Sequence, residues 1–251
     1  AARPPRARRG QNPPARSRRH DPGAAPVGAP TTASRPTKVV PGTTGQIANV
    51  KANIAKVNMF ASESAPQPLM QLDNPWLYDD ADPNSKIPRV FMVKQDKGDR
   101  LEVYTGEAPS GSVAWVQRPD VDITTSPYRI EIALADFNLK AFEGDRVLVD
   151  APIAIGAGPR PTLEGLHFLN VLLRVPEDHA FYGPFAFGLS AYSEDPAVQE
   201  EFEGGQLGLH GTNDPSSIGK AVSNGCIRLS NENITLLAER LPLGTPVVIT
   251  A

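Results

Sequence analysis

The 251-residue chain contains one cysteine, Cys226, in the run Ser223-Asn224-Gly225-Cys226-Ile227-Arg228. A thiol near its ordinary pKa of about 8.5 is only a few per cent thiolate at neutral pH, so a nucleophilic cysteine wants a base or another pKa-lowering feature beside it. Three histidines, His167, His179 and His210, lie outside the basic N-terminal segment. His210 is followed by Gly211, Thr212 and a turn-rich loop, Asn213-Asp214-Pro215, able to fold back towards Cys226. Imidazole, with an unperturbed pKa of about 6.5, can take and return a proton. Gly225 lets backbone approach a substrate closely and would leave the amides of Asn224, Gly225 and Cys226 to point at a developing oxyanion. The pattern suits thiol-based acyl transfer. On spacing alone, a lone cysteine beside glycine is more often a small buried hydrophobe, and both readings stay open.

The elements that would position these residues read as mainly β. Arg89-Val-Phe-Met-Val93, Leu101-Glu-Val-Tyr104 and Ser112-Val-Ala-Trp-Val116 alternate or run apolar, with turns at Gly98-Asp99 and Pro109-Ser-Gly111. They predict a small β unit over 86–123 that resembles a bacterial SH3-like domain, with Tyr104 and Trp115 as either core or a ligand face. A second β-rich block begins near Tyr128, where Ile130, Ile132 and Leu134 alternate and Glu143-Gly144-Asp145 signals a hairpin. Ile234, Leu237, Ala238 and Leu241 keep helical spacing after Ser230, a candidate N-cap, and Pro242 and Gly244 stop the helix. Residues 46–85 read as a linker or short helix, because Ile47, Val50, Ile54 and Val57 share one helical face.

Charge divides the chain. Residues 1–40 carry nine basic side chains and one acid, whereas the rest carries 16 basic and 27 acidic ones. Residues 1–45 are rich in Pro, Arg, Ala and Gly and predict a disordered tail. Such a tail is either a tether to anionic polymers of an envelope or a solvated linker. No motif points to a specific nucleic-acid partner. No apolar run approaches the roughly 18 residues of a membrane helix. The chain starts at Ala1 without Met, which reads as a processed or truncated product. A single cysteine excludes an intramolecular disulfide.

His210-Gly-Thr, Ser-Ile-Gly219 and Ser223-Asn-Gly-Cys226-Ile-Arg228-Leu together resemble the signature of the L,D-transpeptidase catalytic domain, the YkuD family. Gly158-Pro-Arg-Pro-Thr-Leu-Glu-Gly165 resembles the Thr-Pro-x-Gly turn of that family, with Arg160-Pro161-Thr162 intervening. Tyr182-Gly-Pro-Phe-Ala-Phe-Gly-Leu-Ser190 resembles its substrate-side strand. The resemblance covers about 127–251. Many members have His two residues before the cysteine, where this chain has Asn224.

The resemblance implies a β-rich L,D-transpeptidase fold over 127–251 with short helices, behind the SH3-like unit and the tail. It implies Cys226 as nucleophile, His210 as base and Gly211 as the residue whose carbonyl orients the imidazole. Ser223, Asn224 and Gly225 would shape the loop and oxyanion hole, Tyr182 and Thr212 would belong to the substrate side, and Arg228 would hold either the loop or a substrate carboxylate, with a structural salt bridge as the rival role. It further implies peptidoglycan stem peptides as substrates, carbapenems as acylating inhibitors, and an exported, envelope-associated enzyme. No metal or cofactor is expected, because the nucleophile is the protein's own thiol. Hydrolysis of the acyl-enzyme, transfer to another amine, and a non-catalytic wall-binding role are the rival expectations.

Overall fold

The computed structural model describes residues 45–78, 85–202 and 204–251. The tail expected over 1–45 lies, but for Gly45, outside the described residues. The described chain is mainly β, in agreement with the sequence reading. Its two largest sheets have five and eight strands.

The five-stranded sheet runs in the order 113–117, 100–104, 90–96, 45–50, 121–126. Alternation along Arg100–Tyr104 buries Leu101 and Val103 and turns Arg100, Glu102 and Tyr104 away from that core. The segment expected as a linker or helix departs from expectation. Gly45–Val50 and Lys56–Met59 are strands, separated by a turn in which the Ile54 amide donates to the Lys51 carbonyl at 2.9 Å. Gly45–Val50 pairs antiparallel with both Val90–Asp96 and Val121–Ser126. Two partners far along the chain satisfy its backbone, and that outweighs the coincidence of helical spacing. The apparent stripe is split accordingly: Ile47 packs in one cluster, and Val50 and Val57 in another. The unit expected over 86–123 is therefore not closed on its own, because its sheet is built around residues 45–50.

The eight-stranded sheet runs 146–152, 138–143, 128–133, 246–250, 165–174, 185–192, 206–210, 227–228. The expected hairpin forms, with Glu143 opposite Arg146 and Gly144 at φ 59°. The closing strand Pro246–Thr250 lies parallel to Tyr128–Ala133 and antiparallel to Gly165–Arg174. The helix Asn231–Arg240 starts where expected, with the Ser230 side chain accepting from the Asn233 amide. It buries Ile234 and Leu237 in the main core with Leu169, Phe187, Leu189, Leu209 and Ile227. That core fixes the last two strands of the sheet, Gln206–His210 and Ile227–Arg228, which pair in parallel with Leu209 opposite Ile227 and His210 opposite Arg228.

The two sheets share a junction. Ile47, Val90, Met92 and Phe168 form one buried cluster, with Tyr104, Leu166 and Leu243 packed against it. Polar contacts reinforce it. The Gly106 carbonyl accepts from the Tyr192 hydroxyl at 2.6 Å and from Asn170 Nδ2 at 3.1 Å, while Gln206 Nε2 donates to Asn170 Oδ1 at 2.9 Å. A chain of hydrogen bonds thus runs from the five-stranded sheet to the first residue of the strand that ends at His210.

Candidate active site

Strand geometry brings the cysteine and histidine together. Along Gln206–His210, Leu207 and Leu209 point into the core, so Gly208 and His210 share the other face. A Cβ on Gly208 would lie 3.9 Å from both the Cys226 Sγ and the His210 Cδ2. The thiol lies against this face of the strand, and the Gly208 amide donates to Sγ at 3.3 Å. Phe181, Tyr182, Glu201, Phe202, His210, Ser223, Asn224, Cys226 and Arg228 line a cavity of about 290 Å³.

The His210 ring is oriented by its own turn. Its Nδ1 lies 2.6 Å from the Gly211 carbonyl oxygen, so Nδ1 carries the proton and Nε2 is left as the basic nitrogen. Gly211 fits only because it has no side chain, since a Cβ would sit 2.4 Å from Asn231 Oδ1 and 3.0 Å from Gly183 Cα. Asn231, the first residue of the Asn231–Arg240 helix, accepts from the Thr212 amide at 2.8 Å. Thr212 is buried and caps the next turn, with its Oγ1 accepting from the Asp214 amide at 3.0 Å. It is not among the residues lining the cavity. The edge of the Tyr182 ring meets the imidazole at 5.0 Å between centroids.

The cysteine loop is held by side chains. Ser223 Oγ donates to the Cys226 carbonyl at 2.5 Å and accepts from the Gly225 amide at 3.2 Å. The Gly225 amide is thus occupied and does not point at an oxyanion, contrary to expectation. Among the described residues, the amides of Asn224 and Cys226 have no such partner. Gly225 has φ 112°, and a Cβ there would meet Leu207 Cδ2 at 2.8 Å. Behind the loop, buried Thr162 accepts from the Gly156 amide at 2.9 Å and donates to the Gly225 carbonyl at 2.8 Å. The residues that interrupt the family-like turn therefore brace the cysteine loop.

Burial pushes the two reactive groups apart. It raises the Cys226 thiol above its usual range, against the lowering effects of the Gly208 amide and of Arg228. It lowers His210 to about 4, with Arg228 acting in the same direction and the Gly211 carbonyl opposing. The resting pair is therefore neutral thiol beside neutral imidazole. Arg228 lies over the Phe181 ring at 4.7 Å, and its buried Nε has no hydrogen-bond partner. Among the described residues no carboxylate lies within ion-pair distance of it, so the structural salt bridge considered for Arg228 is not formed.

Sequence reasoning missed Gly208, Glu201, Phe181, Phe202 and Thr162. Only Gly208 carried a local signal, because it lies two residues before His210 and so on the same face of a strand. The others come from segments 24 to 64 positions before Cys226.

A β-rich domain in which a lone buried thiol shares a cavity with a backbone-oriented imidazole defines the class. The model of the L,D-transpeptidase catalytic domain, YkuD, matches residues 127–249. YkuD of Bacillus licheniformis, named for the same family, is 38% identical over 135 residues, spanning 54% of this chain and 70% of that protein. Its counterpart in Bacillus subtilis is 36% identical over 129 residues, spanning 51% and 69%. The chain belongs to the YkuD family of L,D-transpeptidases. Among solved structures, Bd1075 of Bdellovibrio bacteriovorus is 28% identical with a TM-score of 0.37, the match covering 50% of this chain and 48% of that one. That spatial likeness is too slight to bear on the fold. No helix among the described residues is long and apolar enough to cross a membrane.

Proposed function

We propose that the protein is a peptidoglycan L,D-transpeptidase in which Cys226 carries the acyl group. His210 Nε2 takes the thiol proton as sulfur attacks the carbonyl after the third, diamino-acid residue of a stem tetrapeptide. The carbon–sulfur bond forms, the bond to the terminal D-Ala breaks, and His210 returns the proton to the departing amine. An amine on a neighbouring stem then attacks the thioester, closing a link between third residues and freeing Cys226. The Asn224 and Cys226 amides supply the donors for the oxyanion, and Arg228, with no carboxylate within ion-pair distance among the described residues, is available to a substrate carboxylate. Gly211 orients the base, Ser223 shapes the loop, and Tyr182 forms the wall beside His210.

The observation that carries this reading is the common approach of Cys226 Sγ and His210 to the bare face of Gly208, within 3.9 Å of one point. A dead homologue or a pure wall-binding module has no need to keep both. Since the substrate lies outside the cytoplasmic membrane, the protein would be exported to the envelope, where its basic tail could contact anionic polymers.

Incubation with a carbapenem followed by intact-mass measurement tests the nucleophile. An adduct mapped to Cys226 and absent from Cys226→Ala is the expected result. Folded protein without an adduct would refute the proposal. Disaccharide-tetrapeptide substrate then separates cross-linked dimers from hydrolysed tripeptides, which would mark an L,D-carboxypeptidase.

A further inference from the structure

The cavity lining carries a feature to which neither the family signature nor the proposed acylation chemistry gives a role. Among the described residues that line the cavity, Glu201 is the one carboxylate and Arg228 the one permanent cation. Glu201 ends the short helix Pro196–Glu201, whose start is fixed by Asp195 accepting from the Ala197 and Val198 amides. Asn224, two residues before the nucleophile, donates from Nδ2 to Glu201 Oε2 at 3.1 Å and accepts at Oδ1 from Arg160 Nη1 at 3.0 Å. Arg160 in turn lies 3.8 Å from Asp195. A chain of contacts, Asp195–Arg160–Asn224–Glu201, therefore ties both ends of the helix to the cysteine loop and holds one carboxylate at the rim of the cavity.

We infer that Glu201 receives the charged amine of the acyl acceptor, with Asn224 as its positioning residue. The inference rests on reading Cys226 as the acyl carrier. A side-chain amine with an ordinary pKa near 10.4 is cationic in neutral water, while the water that competes for the thioester is uncharged. A carboxylate at the rim therefore favours the amine over water. Glu201 also acts on the sulfur, opposing ionisation of Cys226 through its charge. The transfer balances as follows. The bound ammonium loses one proton to solvent, and its nitrogen forms the amide bond as the carbon–sulfur bond breaks. The second proton passes through His210 to the Cys226 sulfur.

Glu201→Gln removes the charge while keeping an oxygen for the Asn224 amide, so a purely structural role survives the change. With tetrapeptide as both donor and acceptor, D-Ala release, cross-linked dimer and tripeptide are measured together. The expected ratio of dimer to tripeptide falls about fivefold in Glu201→Gln, the size of one partly screened charge pair. Added salt should lower the ratio in the unaltered protein and leave it unmoved in the variant. An unchanged ratio in Glu201→Gln, or equal salt dependence in both, with D-Ala release intact, would overturn the role of Glu201 alone. Tripeptide as the sole product of the unaltered protein would overturn it too. Absence of D-Ala release from the unaltered protein would overturn the acyl-carrier reading with it.

Discussion

At the scale of single residues, the neutral resting pair has consequences that a preformed thiolate would not. With His210 held at about 4 chiefly by burial, its Nε2 stays basic well below the pH at which an ordinary histidine protonates. Carbapenem acylation should therefore show no break near pH 6.5 and should lose its base only on approaching pH 4. Phe181 lies 6.1 Å from the imidazole between ring centroids. Phe181→Ala admits water, and the break should move up towards 6.5; a break at 6.5 in the unaltered protein would contradict the burial argument. Stability follows the same sign. The native state binds fewer protons than the unfolded chain between pH 6.5 and 4, so stability is full above 6.5 and is lost as pH falls through that window. The loss from His210 amounts to at most about 3 kcal/mol, and urea melts at several pH values would measure it. Gly211→Ala tests the orientation of the base. The added methyl meets Asn231 Oδ1, and acylation should fall at least tenfold, as when a base loses its geometry. A rate within twofold of the unaltered protein would show that the turn is not needed.

At the scale of elements, the loops matter more than the strands they join. Thr162→Val keeps the side-chain shape but leaves the Gly156 amide and the Gly225 carbonyl without their buried partner. Each unsatisfied group costs about 1–3 kcal/mol, so a drop of about 2 kcal/mol or more is expected in thermal unfolding, with slower acylation at Cys226. A near-neutral variant would mean that water replaces the hydroxyl. These loops also explain what was legible in the sequence. The Asn231–Arg240 helix could be read because its cap and apolar face are local. His210, Cys226 and the Glu143–Asp145 turn could be read because their signals span a few residues. The Gly45–Val50 strand could not, because its pairing partners lie more than 40 and 70 residues away and its apolar spacing mimics a helix. Thr162 and Glu201 were invisible for a similar reason: what gives each its place is a contact made across the fold with the Cys226 loop.

At the scale of the whole molecule, the five-stranded sheet is not an appendage. Phe168, fully buried, belongs to the Gly165–Arg174 strand of the catalytic sheet yet packs with Ile47, Val90 and Met92 of the other. Gly106 presses on it so closely that a Cβ there would lie 2.9 Å from Phe168 Cζ. A shared core of this kind makes the two sheets a single cooperative unit, because neither can open without exposing the other's apolar face. Calorimetry should therefore record one unfolding transition for residues 45–251. Phe168→Ala should cost about 3–5 kcal/mol, the usual range for emptying a buried aromatic site. The same variant should weaken the hold of Gly106 on Asn170, and through Gln206 on the strand that carries His210. Acylation should then slow at a temperature where the protein remains folded. Two separate transitions in the unaltered protein, or full acylation in folded Phe168→Ala, would show that the catalytic sheet positions its histidine without help from its neighbour.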